Sequence, residues 1–381
     1  MAEAWNNNGN GASSKAAPLI SDPWLLVSAL ALTAFGLVMV YSSSSALAGK
    51  RYLDSAHFFK HQLFHVLVGL GVMTWLASLD YERYRRWVWY ALGGVLLALV
   101  LVLIPGIGHR AGGAARWLRL GIISVQPAEL AKVALVLFLA RYLAEHQAES
   151  KSLFKVFMPC LAVAGALVLP ILAEPDLGMS LTLLSLTMVM LGVAGTRVTY
   201  LAVILAAAVP LLYRLVWLVP YRRDRVFAFL NPWEDPAGTG FQIIHSFLAL
   251  GSGGFWGTGL GGSKQKLFYL PEPHTDFILA VLGEELGLWG LATVLALFLV
   301  LVWRGVQTAL NARDLFGTYL ALGCTLIVGL QAFVNAAVVM GMLPTKGLTL
   351  PFLSYGGSSI VTNFACVGLL LSVAGHQGRR A

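Results

Sequence analysis

Apolar stretches, each about 20 residues long and divided by short polar breaks, follow one another along this chain from Trp24 to Gly375. An α-helix rises about 1.5 Å per residue, so a stretch of that length crosses the ~30 Å hydrocarbon core of a bilayer. At that depth no water is present to bond the backbone, and each N–H and C=O must be satisfied inside the helix. A large water-soluble core is excluded, and lipid is the main solvent. Composition supports this. Of 381 residues, 58% are hydrophobic and 12% charged, whereas soluble chains average about 25% charged.

The pattern predicts an all-α polytopic integral membrane protein with spans at about 24–45, 58–79, 86–105, 127–145, 154–173, 177–195, 198–219, 276–303, 316–342 and 357–375. A long extracytoplasmic loop, residues 220–275, separates the seventh span from the eighth. Residues 1–21 are rich in Asn, Gly, Ser and Ala and are expected to form a disordered cytoplasmic tail. Residues 22–376 then form the transmembrane domain, and 377–381 a short cytoplasmic tail. Pro159, Pro170 and Pro210 predict kinks within spans. Cys160, Cys324 and Cys366 lie in apolar runs without metal or disulfide spacing, and read as small fillers.

Ten spans put both termini on one side, and basic residues tell which. Twelve Lys and Arg lie on the side of the N-terminus, against six in the short loops opposite. This favours cytoplasmic termini. Five more, Arg222, Arg223, Arg225, Lys264 and Lys266, lie in the long outer loop, on the disfavoured face. An anionic substrate is one explanation; interfacial snorkelling is another. The formal charge of +8 does not point to nucleic acid, because no soluble basic domain is present to hold it.

The long loop is aromatic and rich in Gly, which argues against disorder. Phe241 to Leu250 is apolar with helical spacing but too short to span, so it is expected to re-enter the membrane or lie at its surface. At the loop's end Thr275 is a candidate helix N-cap, with Asp276 in the field of the helix N-terminus, which favours an ionised carboxylate. From position alone Asp276 is a capping acid, a base for an attacking hydroxyl, or a ligand of a divalent cation. Glu129 and Lys132, three residues apart, share a helix face as an internal ion pair or a polar cavity wall. Glu174 and Asp176 read similarly. Glu284 and Glu285, two turns beyond Asp276, are either part of a functional site or polar groups satisfied in helix packing. His274 orients Asp276 or meets substrate, and Arg116, Trp117 and Arg119 are expected at the headgroup level.

Several ordered motifs resemble the SEDS family of peptidoglycan glycosyltransferases. They are Gln126-Pro127-Ala128-Glu129-Leu130-Ala131-Lys132, Tyr221 to Arg225 with Asn231 to Pro236, and Tyr269-Leu270-Pro271-Glu272-Pro273-His274-Thr275-Asp276-Phe277. Leu343-Pro344-Thr345-Lys346-Gly347 and Leu353 to Ser359 follow. The resemblance covers the chain after its N-terminal tail and is closer to division-type than to elongation-type members. It implies ten transmembrane helices and polymerisation of lipid II at the outer face of the cytoplasmic membrane, with release of undecaprenyl pyrophosphate. It places the family's essential aspartate at Asp276. It also sets Glu129 and Lys132 in a polar cavity near that aspartate; a pyrophosphate leaving group makes Arg222, Arg225, Lys264, Lys266 and Lys346 candidate substrate contacts, with His274 and Ser358 beside them and Mg2+ or Mn2+ as a cofactor candidate at Asp276. The implied partners are a class B penicillin-binding protein, of the FtsI transpeptidase type, and other division proteins at the septum. A lipid II flippase and a non-catalytic division scaffold are the competing readings; a carboxylate beside a basic loop favours chemistry over transport, and the scaffold predicts that Asp276→Ala leaves activity intact.

Overall fold

A computed structural model describes residues 21–111, 114–121, 123–267 and 270–376. The helices are α1 (Pro23–Tyr52), α2 (His57–Ser78), α3 (Glu82–Leu103), α4 (Pro127–Glu145), α5 (Met158–Ala173), α6 (Leu177–Val193), α7 (Val198–Trp217), α8 (Pro220–Leu230), α9 (Phe241–Gly253), α10 (Ile278–Leu310), α11 (Leu315–Val339) and α12 (Gly357–Gly375). Each of the ten expected spans is a helix, with α8 and α9 inside the long loop. The chain is a polytopic, nearly all-helical membrane protein. Seven helices are long and apolar enough to cross a bilayer: α1, α3, α5 with the π turn before it, α7, α10, α11 and α12. The other three differ for visible reasons. The apolar α6 has 17 residues. Lys60, His61, Gln62 and His65 make α2 polar, and Glu129, Lys132, Arg141 and Glu145 do the same for α4.

The all-helical expectation missed one element. Between α3 and α4 lies a small antiparallel sheet of β1 (Gly108–Ala111), β2 (Ala114–Leu120) and β3 (Ile123–Val125), in that order. Leu118 pairs with Gly108 on one side and with Val125 on the other. Gly106 and Gly121, both at positive φ, mark turns beside it. Its strands are too short for a periodicity search tuned to spans.

The tail expectation also changes at its edge. Residues 1–20 and 377–381 lie outside the described residues. Ser21, however, donates a hydrogen bond to the carbonyl of Leu371 at 2.8 Å, so it belongs to the fold. Asp22 caps α1 through Leu25 N and pairs with Arg304 of α10 at 2.8 Å.

Burial sorts the helices. α4 lies at the centre, against α3, α11 and α12, and buries both Glu129 and Lys132. α2 runs along α12, and α1 lies against α10. By contrast, α7 buries none of its residues. An uncovered apolar helix is at home in hydrocarbon, where lipid tails cover it.

The helix after the long loop is broken. At Gly287 of α10 the backbone leaves helical geometry, with φ 64° and ψ −160°. The loop supplies the hydrogen bonds that the break frees. Thr258 N donates to Glu284 O at 2.9 Å, Gly259 N to Glu285 O at 3.0 Å, and Leu288 N to Gly254 O at 2.9 Å. A Cβ on Gly257 would strike the Glu285 carbonyl, so this approach requires glycine. α9 then packs on α10 and buries Ile243, Ile244 and Ala249; Ser246 Oγ donates to Val339 O of α11 at 2.8 Å.

Candidate functional site

Five parts of the chain enclose a cavity of about 170 Å3. α8 contributes Arg225, α9 Gln242, α11 Asn335 and Val338, and the segments before α10 and α12 contribute Glu272, Asp276, Thr345, Lys346 and Gly347. One water needs about 10–15 Å3 of such space, so the cavity is roomy enough for several waters or for polar groups of a ligand.

The segment carrying Asp276 is pinned through its backbone. Ser354 Oγ donates to Thr275 O at 2.6 Å, Tyr355 N to His274 O at 2.8 Å, and Asn335 Nδ2 to Asp276 O at 2.9 Å. Arg225 Nη1 donates to Thr345 O at 3.0 Å, which ties α8 to the opposite wall. Gly347 has φ 70°, and a Cβ there would lie 3.4 Å from Asp276 Oδ2. The Lys346-Gly347 backbone therefore passes close to the carboxylate.

Thr275 is not the cap of α10. The helix starts at Ile278, Phe277 holds the cap position without a side-chain bond, and the Thr275 hydroxyl donates to Glu272 O at 3.0 Å. Asp276 thus stands outside the first turn, and its environment opposes the ionised form. Burial raises its pKa from 3.8 to about 6; Arg225 pulls it back, while Glu272 and Asp176 push it further up. Burial also lowers the pKa of Lys346. The result is a buried carboxyl group with a pKa of about 6, in a cavity that Arg225 and Lys346 also line.

Of the residues named from the sequence, the structure brings Asp276, Arg225 and Lys346 to this cavity, and not the others. Lys266 is buried and bound to Glu285 at 2.7 Å and to Ser42 at 3.1 Å, so its charge is already used. Lys264 has an exposed side chain, and its backbone N–H serves the Glu284 carboxylate at 2.9 Å. Ser263 Oγ also donates to Glu284. These contacts bear out the polar-packing reading of Glu284 and Glu285. Arg222 turns back to Leu215 O at 3.0 Å. Ser358 accepts from Gln126 N at 2.9 Å and so fastens α12 to the start of α4. His274 packs at tilted angles against Phe58 and Tyr355, and burial lowers its pKa to about 4. It is neutral at pH 7, and no ion pair forms with Glu272, 3.6 Å away.

Glu129 and Lys132 form a buried ion pair at 2.8 Å, and Lys132 Nζ also donates to Gln331 Oε1 at 2.6 Å. Gln331 in turn donates to Thr349 Oγ1, which shares a hydrogen bond with Ser359 Oγ. Asn335, one helical turn beyond Gln331, reaches the Asp276 cavity, so the pair stands behind the wall. Arg116 is not at a free headgroup position: it donates to the carbonyls of Glu174 at 3.1 Å and Pro175 at 2.9 Å, and lies 3.8 Å from Asp176. Asp176 caps α6 through Met179 N, and burial pushes the Glu174 carboxyl up to about 8.

Sequence reasoning missed Gln242, Glu272 and Asn335 as cavity residues. Asn335 carried a usable signal, since Gln331 and Asn335 are polar residues four apart in an otherwise apolar span. Among the described residues, no three His, Cys, Asp or Glu side chains converge as a metal cage.

A family profile described as "Cell cycle protein", of FtsW, RodA and SpoVE, matches residues 23–379. The chain belongs to this FtsW/RodA/SpoVE family. Among family members, a probable peptidoglycan glycosyltransferase FtsW of Geobacter sulfurreducens is 50% identical over 92% of this chain and 94% of its own length. Stage V sporulation protein E of Bacillus subtilis is 43% identical, over 93% and 97% respectively. Among solved structures, one reported as "Structural coordination of polymerization and crosslinking by a peptidoglycan synthase complex" contains a chain similar at TM-score 0.78 and 33% identity, covering 95% of this chain and 100% of that one. The rod shape determining protein RodA of Thermus thermophilus aligns at TM-score 0.67 and 29% identity, over 93% and 96%.

Proposed function

We propose that this chain is a peptidoglycan glycosyltransferase that polymerises lipid II into glycan strands at the outer face of the cytoplasmic membrane during septal wall synthesis. The observation that carries the reading is Asp276: a carboxyl group in a cavity, its pKa raised by burial to about 6, with Arg225 and Lys346 also lining that cavity.

The chemistry follows from that arrangement. A sugar hydroxyl attacks the anomeric carbon of the lipid-linked donor. The new C–O bond forms as the bond to undecaprenyl pyrophosphate breaks. The hydroxyl proton passes to the Asp276 carboxylate; a base of pKa about 6 is largely ionised at neutral pH yet accepts a proton more readily than an ordinary aspartate. Arg225 and Lys346 receive the growing negative charge of the leaving pyrophosphate, Arg through a planar fork and Lys as a point charge.

Mg2+ or Mn2+ fits the cavity only as an ion shared with substrate phosphate. Mg2+ commonly uses one or two carboxylates plus phosphate oxygens and water, and Asp276 and Glu272 are the carboxylates on the wall. Such an ion would supply neutralisation of pyrophosphate charge.

The excess of Lys and Arg on the side of both termini supports a cytoplasmic N- and C-terminus, and with it a cavity facing the outer side. Similarity to a chain of a peptidoglycan synthase complex supports a class B penicillin-binding protein of the FtsI type as partner. The test is the full chain with that partner, lipid II and Mg2+, followed by gel separation of the glycan products. The expected result is polymer from the wild type and none from Asp276→Ala; undiminished polymer from the variant overturns the reading. Flipping of lipid II in proteoliposomes is assayed separately.

A further inference from the structure

The connection between α4 and α5 meets the turn between α6 and α7 on the side of the bundle that holds both termini, opposite the Asp276 cavity. Gln147 Nε2 donates to Ala194 O at 3.4 Å, and a Cβ on Gly195 would lie 3.7 Å from Ser150 Oγ. An open cleft of about 470 Å3 lies there, lined by Glu149, Ser150, Lys151, Ser152, Lys155 and Arg197. Lys155 Nζ is bound to Glu149 at 2.6 Å, so the charges of that pair cancel. Lys151 and Arg197 remain. Both are exposed, and neither has a carboxylate partner among the described residues. Arg197 donates from Nη1 to the Tyr200 hydroxyl at 3.5 Å, which leaves the rest of its fork free. Topology favours basic residues on this side. It does not require two unpaired cations from separate connections to line one cleft, where like charges repel unless an anion joins them.

The cleft borders apolar surface. Phe154, next to Lys155, is 78% exposed, and Val198, next to Arg197, is 76% exposed. Val198 opens α7, the helix that buries none of its residues. α7 also begins without a side-chain cap, and a helix N-terminus favours an anion.

We propose that this cleft binds the phosphate of an anionic phospholipid headgroup, held by Lys151 and Arg197, with the acyl chains lying beside Phe154 and Val198 along α7. Arg197 meets the phosphate oxygens through its planar fork and Lys151 as a point charge. Basic pockets between membrane helices on the cytoplasmic side suit such headgroups, and the anionic lipids of that leaflet supply the ligand. A free phosphate would use the cations alone and leave the apolar border uncovered. The inference stands apart from the glycosyltransferase reading, since it concerns the opposite face.

The test is native mass spectrometry of the full chain in detergent, titrated with phosphatidylglycerol, with phosphatidylcholine as the zwitterionic lipid and glycerol phosphate as the headgroup without chains. The wild type should bind its first phosphatidylglycerol more tightly than phosphatidylcholine. The double variant Lys151→Gln/Arg197→Gln should bind phosphatidylglycerol about 30-fold more weakly, which is about 1 kcal/mol for each of two cations, and phosphatidylcholine no more weakly. Arg83→Gln/Arg86→Gln, a pair of exposed cations on the same side but outside the cleft, should keep the wild-type affinity. Thermal unfolding without lipid controls for folding; if the double variant unfolds, Lys151→Gln alone takes its place, with an expected loss of about fivefold. Equal losses in the two pairs would mean diffuse surface charge and overturn the inference. A wild type without preference for phosphatidylglycerol, an affinity unmoved by the cleft variant, or glycerol phosphate binding as tightly as the lipid would each overturn it too.

Discussion

Replacing Asp276 by Asn should abolish activity and at the same time stabilise the protein, by an amount that depends on pH. The folded carboxyl has a pKa of about 6, against an ordinary value of 3.8. A group whose folded pKa is raised contributes stability that is fully present below pH 3.8 and lost as pH rises through 6. Above that point the buried carboxylate is a net cost. The gap is about two pKa units, or up to about 3 kcal/mol at about 1.4 kcal/mol per unit. An amide of the same shape does not titrate, so Asp276→Asn removes the cost at high pH and changes little at low pH. Thermal unfolding of the two proteins in the same detergent should show equal Tm at pH 4 and a rise of a few degrees for the variant at pH 8. Polymerisation should fall by about 10²–10⁴-fold, the usual worth of a positioned base. In the wild type the carboxylate is about 10% ionised at pH 5 and about 90% at pH 7, so the rate should climb about ninefold over that interval. A Tm difference that does not change between pH 4 and pH 8, or a flat rate across pH 5 to 7, would refute the account of Asp276 as a burial-tuned base.

Arg225→Met removes the cation that holds the Asp276 pKa down, so the acidic limb of the pH–rate profile should move to higher pH; an unmoved limb counts against their electrostatic coupling. Breaking the buried Glu129–Lys132 pair with Glu129→Gln should cost about 3–5 kcal/mol in unfolding, and the double change with Lys132→Met distinctly less, because the single change strands a buried charge. Lys266→Met should lower Tm and leave KM for lipid II unchanged, since Lys266 is bound to Glu285 and Ser42 rather than facing the cavity. Gly287→Ala forces a side chain onto φ 64° against the Phe255 carbonyl, and should lower stability by about 1–3 kcal/mol, read by thermal unfolding.

Periodicity and length were enough to locate every long helix, because crossing a bilayer imposes one requirement that each segment meets independently. The motif around Asp276 was equally legible, since it is contiguous in the chain. Partnership between distant residues was not. Lys266 and Arg225 both read as basic residues in one outer loop, yet the first is consumed by Glu285 two turns into α10, and the second reaches the Asp276 wall. Asn335 and Gln331 read only as polar residues in an apolar span, until packing set one against Asp276 and the other against Lys132. The helix-cap reading of Asp276 failed for the same reason. Local sequence supplies a helix start and its dipole, but the pKa of about 6 comes from burial by α8, α9 and α11. The sequence alone determined the lipid solvent and the helices, which depend on local composition, and its resemblance to a family singled out Asp276 as the acid to examine. The tertiary structure decided which cations reach that acid, which are spent elsewhere, and how readily it gives up its proton, because charge and desolvation act through space between segments far apart in the chain.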